Sequence, residues 1–199
     1  MPSSEPVDVA DGGQADQPAS SGEIELPGPS LFTGGSSTAT VTTSLAGSGL
    51  QIEGGLEPAS YVLASYLIGT GPMRATAEFT VNPGPGASFT YQLRGTGGGY
   101  SSRLLRLERV PGSDDLQAWS TNGPVRCGPL ASGQATPVTL SFDGAARTFD
   151  VLIAGAPTAC TDLTTKVSGP VTGFRVTDES IEGYGGHVEF AGFALVAAP

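Results

Sequence analysis

The sequence has little positive charge and few of the residue types that build catalytic or metal sites. Its 199 residues include 9 Lys and Arg against 19 Asp and Glu, so the formal net charge is −10. Nucleic acids and anionic membranes are bound through clusters of cationic side chains, and this balance excludes a general binder of either. His187 is the single histidine and no CxxC pair occurs, which excludes a zinc site built from Cys and His.

Long hydrophobic runs are missing too. No uninterrupted apolar run approaches the roughly 18 residues that a transmembrane helix needs. Charged residues make up 14% of the chain and hydrophobic residues 38%. A fully disordered chain combines high charge with low hydrophobicity, so this composition predicts a folded core instead. The length predicts one domain, or at most two small ones.

The N-terminal segment differs in composition from the rest of the chain. Residues 1–25 carry six acidic residues and no Lys or Arg, in a background of Ser, Pro, Gly, Gln and Ala. A stretch without an apolar period cannot offset the entropy of ordering. We therefore predict that residues 1–28 are a disordered acidic tether and residues 29–199 a folded domain. The segment lacks the basic start and apolar centre of a signal peptide. Two interpretations remain open: an ordinary tail, or the spacer of a trimmed secreted protein or lipoprotein.

Two cysteines bear on the compartment. Cys127 in PVRCGP and Cys160 in PTACTD both lie in sequences typical of turns that follow strands. We predict a disulfide between them, which closes 160 − 127 = 33 positions. The alternative is two free buried thiols. The predicted disulfide and tether favour an extracytoplasmic protein. Eight Arg against one Lys, with abundant Ala, Gly and Pro, are typical of a GC-rich bacterial genome.

From about residue 30 onward, apolar and polar residues alternate with period two. This pattern is typical of half-buried antiparallel strands, and turn sequences rich in Gly, Pro and Asp separate them. The last stretch slips register at Gly192, as a β-bulge would cause. The pattern predicts an all-β antiparallel sandwich. The clearest alternating stretches are Met73–Val81, Ser88–Arg94, Val138–Asp143, Thr148–Ala154, Gly173–Asp178 and His187–Val196.

Three stretches, PVTLSFDGAARTFDVLIAG, VTGFRVTD and GGHVEFAGFALV, resemble the concanavalin-like lectin/glucanase superfamily, which includes laminin-G-like domains. The resemblance covers most of residues 30–198 and implies a jelly-roll sandwich. It also implies that Leu31–Gly35 and Leu50–Gly55 pair with the last strand. The superfamily includes lectins, glycosidases, adhesion modules and structural domains, so the resemblance by itself does not assign a function.

The superfamily includes enzymes, so their catalytic motifs can be compared with the residues of this sequence. Bacterial β-glucanases of this superfamily carry an E-x-D-x-x-E run, which this sequence lacks. The nearest acidic cluster has a sequence typical of a turn; it consists of Asp178, Glu179 and Glu182. No G-x-S-x-G motif accompanies His187, so a catalytic triad has little support. We therefore expect no catalytic residues. A hydrolase with an unrecognised site and a purely structural or adhesive domain remain the alternatives.

We expect no cofactor and no metal. Because laminin-G-like domains often bind calcium, the resemblance keeps calcium as an alternative. Asp143, Asp178 and Glu179 would be its carboxylate ligands, although no calcium-loop motif supports it.

A surface on three consecutive strands is the best candidate binding site. The alternation turns a set of polar residues and one tryptophan away from the core: Gln92, Arg94, Arg106, Gln117 and Trp119, with Glu108 beside them and Tyr100 and Asn122 at the rim. A tryptophan beside planar polar groups suits a glycan, because the ring stacks on sugar while the polar groups bind hydroxyls. In the alternative, Trp119 packs in the core, as a lone tryptophan usually does. The sequence thus predicts an extracytoplasmic binding module for a glycan or a cell-surface partner, secreted or lipid-anchored.

Overall fold

The computed structural model describes residues 71–96, 103–179 and 187–198, together with strand segments at 23–24, 33–35, 41–42, 50–53 and 61–67. The regular structure of these residues is β throughout, in two antiparallel sheets. The predicted all-β sandwich is therefore confirmed. Within the same residues, no helix has the length and apolar character needed to cross a membrane.

The first sheet has nine strands. Its spatial order is β13 (Ala156–Pro157), β12 (Thr148–Ile153), β11 (Thr136–Asp143), β6 (Arg74–Pro83), β16 (His187–Ala197), β4 (Leu50–Glu53) and β3 (Val41–Thr42). Two short strands lie off this path: β1 (Glu23–Ile24) pairs with β16, and β14 (Leu163–Thr164) pairs with β12.

The second sheet has seven strands. Its spatial order is β10 (Gly123–Pro129), β9 (Asp115–Ser120), β8 (Arg103–Arg109), β7 (Phe89–Arg94), β15 (Gly173–Glu179), β5 (Tyr61–Leu67) and β2 (Thr33–Gly35). Three strands that follow one another in sequence, β7, β8 and β9, are therefore neighbours, while β15 joins β7 from about 80 residues away.

The core lies between the two sheets, where aromatic rings from opposite sheets meet. The ring of Phe79 on β6 stacks on that of Tyr91 on β7, with centroids 4.4 Å apart. Phe89 on β7 meets Phe190 on β16 edge to face at 5.3 Å. Aromatic pairs in these geometries add to the stability gained from burial alone. Burial also raises the pKa of the Tyr91 hydroxyl, because the charged form would lose its hydration.

The predicted bulge in the last strand is confirmed. Val188 and Phe190 face the core, and the register against β6 then shifts between Ala191 and Ala194. Gly192 takes a φ of 61° at the shift, a conformation that glycine adopts without steric cost. The extra residue returns Phe193 and Leu195 to the core, so both halves of this long strand bury their apolar residues.

The N-terminal strands agree with the resemblance in part. β4 pairs with β16, the last strand, as predicted for Leu50–Gly55. The predicted partner of Leu31–Gly35 is wrong, because β2 pairs with β5 in the other sheet. The free edge of β16 is taken by β4 along one half and by β1 along the other, which leaves no place for β2.

One strand lies inside the predicted tether. In β1, Glu23 pairs with Val196 and Ile24 with Leu195. The other residues of 1–28 lie outside the described residues. The domain boundary at residue 28 stays a prediction.

Candidate functional site

Strands β7, β8 and β9 present the predicted site residues on the side of the seven-stranded sheet that faces away from the core. Gln92 lies opposite Arg106, and Glu108 lies opposite Gln117 in the next strand. We call this surface the Trp119 face; it consists of Gln92, Arg94, Arg106, Glu108, Gln117 and Trp119. The residues that alternate with them are buried in the core: Phe89, Tyr91, Leu105, Leu107, Leu116 and Ala118. The side-chain period of two thus divides the residues of these strands between the outer face and the core, as the sequence predicted.

Trp119 is exposed and held in place. It retains 42% of its surface, so the alternative that buries it in the core is wrong. Its indole Nε1 donates a hydrogen bond of 2.6 Å to Glu108 Oε2, and the guanidinium carbon of Arg106 lies 5.5 Å from the ring centroid. Arg106 Nη2 also reaches Glu108 Oε2, at 3.1 Å. The three side chains form one unit, in which a carboxylate and a cation fix the orientation of an open aromatic ring.

A group of arginines lies beside this unit. Arg94 Nη1 donates a 3.0 Å hydrogen bond to Gln92 Oε1. Arg103 on β8 lies opposite Arg94, and Arg175 on β15 lies opposite Gln92. Partial burial lowers the pKa of the Arg94 guanidinium, and the charges of Arg175 and Arg103 lower it further. The result is a positively charged region on a protein of net charge −10.

Sequence reasoning did not include Arg103 and Arg175 in the site. Alternation within GFRVTD does turn Arg175 away from the core, between the buried Phe174 and Val176. What the sequence does not show is that β15 pairs with β7, since about 80 residues separate them. Long-range strand pairing is the information that was lacking.

The edge of the Trp119 face is formed by β10. Arg126 on this strand lies opposite Gln117 and forms an ion pair with Asp115, with Nη2 2.7 Å from Oδ1. Asn122 is exposed in the turn that joins β9 to β10. Tyr100, the other predicted rim residue, lies outside the described residues.

Of the three carboxylates considered for calcium, Asp143 is the one whose side chain the structure describes. Asp143 Oδ1 accepts the amides of Ala145 and Ala146, and Oδ2 accepts Arg74 Nε at 2.8 Å. Both oxygens are thus engaged within the protein, which does not suit a calcium ligand. The side chains of Asp178 and Glu179 lie outside the described residues. In the part of the chain with described side chains, no group of three His, Cys, Asp or Glu could hold a metal ion.

The predicted disulfide joins Cys127 and Cys160. Cys127 does not lie in a turn, as predicted, but inside β10, where the register against β9 shifts between Arg126 and Gly128. The extra residue lets Cys127 turn inward although the surrounding strand lies at a sheet edge. Cys160 lies in the loop between β13 and β14. The bond therefore links the edge of the seven-stranded sheet to the edge of the nine-stranded sheet.

Comparison with known proteins supports the architecture. The sequence matches no protein-family model and no curated protein. Among solved structures, a sialidase aligns with a TM-score of 0.66 at 13% identity, over 87% of this chain and 17% of that one. A Trypanosoma rangeli sialidase aligns at 0.55 and 16%, over 81% of this chain and 26% of its own.

A third structure is similar along most of both chains. The carbohydrate recognition domain of Emp46p, in a potassium-bound form, aligns with a TM-score of 0.55 at 12% identity. The alignment covers 83% of this chain and 88% of that domain. The fold is a lectin-like β-sandwich. This chain spans about a sixth to a quarter of the two sialidases, so their activity belongs to much longer proteins.

Proposed function

We propose that the protein is a non-enzymatic carbohydrate-binding module and that the Trp119 face is its binding site. The observation that carries the proposal is the exposed tryptophan fixed by Glu108 and Arg106. An aromatic ring that is already oriented loses little conformational entropy when a sugar stacks on it. A free surface tryptophan would have to be ordered at the moment of binding.

The neighbouring polar side chains supply what a sugar needs besides a stacking surface. Gln92 and Gln117 carry planar amides that donate and accept hydrogen bonds, and Arg94 adds a guanidinium held against Gln92. All three are half-buried on the same face as the ring. Such groups bind hydroxyls in fixed directions, because packing restricts their rotamers. A carbohydrate recognition domain among the similar structures agrees with this assignment.

The disulfide supports an extracytoplasmic location, since such bonds persist in oxidising compartments. We propose a secreted or lipid-anchored bacterial protein of laminin-G-like, concanavalin-like topology, whose ligand is a glycan or a glycosylated cell-surface partner. The acidic N-terminal segment would then be its spacer from the surface.

Hydrolysis is the second candidate, because two of the similar structures are sialidases. Most glycoside hydrolases place two carboxyl groups on either side of the scissile bond, whereas sialidases use a tyrosine nucleophile, and none of the residues that make up the Trp119 face is a tyrosine. On the Trp119 face and its β10 edge, the carboxylates with described side chains are Glu108 and Asp115. Each is held in an ion pair, with Arg106 and Arg126 respectively. This arrangement favours binding over catalysis.

A Trp119→Ala variant tests the proposal on a glycan array. We expect the wild-type protein to bind a defined set of glycans and the variant to lose that binding. The variant should stay folded, with a stability loss of about 1 kcal/mol from the missing indole hydrogen bond and cation–π contact. Trp119→Phe should keep part of the binding, because it retains a stacking ring.

Met73→Ala is the matched control. Met73 is as exposed as Trp119, at 42%, but lies next to β6 of the other sheet. The Met73→Ala variant should bind the same glycans as the wild-type protein, with equal affinity. A blank array for the wild-type protein, or equal binding by Trp119→Ala, would refute the proposed function. Release of reducing sugar from a bound glycan, lost in Glu108→Gln, would favour the hydrolase instead.

A further inference from the structure

A pocket separate from the Trp119 face lies where turns of the two sheets meet. Its volume is about 410 Å³, within the usual range for small-ligand sites. Three segments line it: the turn after β9, the turn between β11 and β12, and β14 with the residues that follow. The lining residues are Thr121, Ala146, Arg147, Thr164, Thr165 and Lys166.

Backbone hydrogen bonds fix the walls of this pocket. The Thr121 amide donates to the Thr164 carbonyl at 2.7 Å, and the Thr165 amide donates to the Arg147 carbonyl at 2.9 Å. Thr121 Oγ1 also donates to the Thr164 carbonyl, at 3.0 Å. The pocket is therefore formed before a ligand arrives, which lowers the entropic cost of binding.

The two cations of the pocket have no carboxylate partner among the described residues. Arg147 and Lys166, the chain's single lysine, take part in none of the ion pairs, whereas Arg74, Arg106, Arg109 and Arg126 each contact an Asp or Glu. Arg147 also has a φ of 61°, which non-glycine residues rarely adopt. Two positive charges that line one pocket, with no carboxylate partner among the described residues, favour an anionic ligand.

The threonine hydroxyl groups of the pocket suit the hydroxyl groups of a sugar that also carries an acidic group. Thr121 and Thr164 lie in contact, with their Oγ1 atoms 3.1 Å apart, and both are exposed. Their oxygens can accept hydrogen bonds from sugar hydroxyls while the cations hold an acidic group. Thr121 follows Trp119 by two residues, so their Cα atoms are at most about 7 Å apart. The turn that carries Thr121 therefore connects the strand of Trp119 directly to one wall of the pocket.

We infer that this pocket binds the carboxylate or sulfate of an acidic sugar, with Arg147 and Lys166 as the residues that contact the anion. The sugar part of this inference rests on the proposed function, and the anion part does not. A bulk polyanion is disfavoured, because the chain carries a net charge of −10 and repels it as a whole. A single carboxylate or sulfate on an otherwise neutral glycan matches the positive charge of Arg147 and Lys166.

The anion site is tested first with sodium sulfate as the probe. Backbone amide shifts of the full chain are followed during the titration, against sodium chloride at matched ionic strength. We expect sulfate-specific shifts confined to the turn at 145–148 and to residues 163–166. In the double variant Arg147→Gln/Lys166→Gln, the sulfate affinity should fall about tenfold or more. Lys166→Gln alone provides the same readout if the double variant folds poorly.

Arg126→Gln is the control, because Arg126 is exposed and cationic but lies outside the pocket. It should bind sulfate like the wild type. Shifts spread over the whole surface, or equal shifts in the double variant, would indicate a general salt effect and overturn the inference.

The sugar part is tested on an array that carries matched neutral, uronic-acid and sulfated oligosaccharides. We expect the wild-type protein to prefer acidic members, and the uronic-acid and sulfated sets to show which anion is used. The double variant should lose this preference and keep the binding to neutral sugars through Trp119. Equal binding of neutral and acidic sugars by the wild type would refute the inference and leave the proposed function intact. A blank array with intact sulfate binding would refute the proposed function and leave the anion site.

Discussion

Arg109 shows how a single buried residue organises several loops. It is the last residue of β8, and its side chain is 1% exposed. Its guanidinium donates to the carbonyls of Ala87 and Leu130, to Asp114 and to Ser132 Oγ. A buried arginine is tolerated because its donors are satisfied, and it joins three segments that carry no regular structure.

We expect Arg109→Met to lower the free energy of unfolding by about 3 kcal/mol. Methionine fills similar space, but it leaves two buried carbonyl oxygens without their donor. Urea unfolding measures the change. Arg126→Met is the control, since the Arg126 side chain is 70% exposed and its ion pair with Asp115 should contribute less than about 1 kcal/mol. Equal losses for the two variants would contradict the structural role of Arg109.

Asp143 adds a pH-dependent contribution at the turn between β11 and β12. The amide of Ala146 has the largest effect and lowers the pKa of the Asp143 carboxyl. Desolvation, the next largest, raises it, and the amide of Ala145 and the Arg74 guanidinium lower it further, so the net shift is downward. A carboxyl with a lowered pKa in the folded state stabilises the protein above its ordinary pKa of 3.8. This stabilisation is lost as the pH falls through the lower, folded-state pKa.

Asp143→Asn should therefore melt below the wild type at pH 7, because asparagine keeps an acceptor oxygen but not the charge. The difference in melting temperature should shrink as the pH falls from 3.8 through the folded-state pKa, because below that lower pKa both side chains are neutral. Melting curves across this range measure it, and the other carboxyls cancel in the comparison. A difference that stays constant down to pH 2 would show that the charge of Asp143 does not stabilise the fold.

At the level of strands, the long interior strand β16 and the outer strand β10 are held in place by different means. β16 covers its long free edge with β4 and β1, and its bulge keeps apolar residues inward on both sides of Gly192. β10 is the outer strand of the other sheet and is secured by the disulfide to the loop before β14. That loop leads directly into the wall of the proposed anion pocket.

Replacing both cysteines with alanine should lower the free energy of unfolding by roughly 3–4 kcal/mol. The bond closes a loop of 33 positions, and removing it restores that freedom to the unfolded chain. Urea unfolding measures the loss. Intact-mass analysis with an alkylating reagent checks the bond itself: two freely alkylated thiols in the native, non-reduced protein would refute it.

At the level of the whole molecule, charge is unevenly distributed. Six of the nineteen acidic residues lie in residues 1–25, which leaves a net charge of −4 for the remainder. Arg74 and Arg109 lie elsewhere, whereas the other cationic residues lie on the Trp119 face, beside it, at its β10 edge or in the proposed anion pocket. An acidic chain that gathers arginines in one region can select an acidic ligand by local charge while its overall charge limits non-specific contacts.

Deletion of residues 1–28 should shift the thermal midpoint by less than about 4 °C. The segment has no apolar period, and within the described residues its contribution to the sheet is the two-residue strand β1. Deletion of residues 1–22, which keeps β1, is the matched control. A larger drop with the longer deletion alone would place β1 inside the domain, and a larger drop with both would show that the tail is structural.

The sandwich, the bulge and the sorting of faces were predictable because the side-chain period of two is a local property. The alternation along Arg74–Pro83 and Phe89–Arg94 therefore shows which residues are buried before any partner strand is known, although Met73, at the start of the predicted stretch Met73–Val81, is exposed. The disulfide was predictable because the chain has two cysteines. The pairing of β2 with β5 was not, since it depends on which sheet edge remains free.

By itself, the sequence determined the fold class and the set of residues that share a face with Trp119, because alternation fixes the direction of each side chain along its own strand. The tertiary structure decided the rest. The exposure of Trp119 and its contacts with Glu108 and Arg106 depend on which strands are neighbours. The approach of Arg175 to Arg94 and the pocket between Arg147 and Lys166 depend on segments far apart in the chain. Such contacts form when distant strands and turns pack together, and no local pattern encodes them.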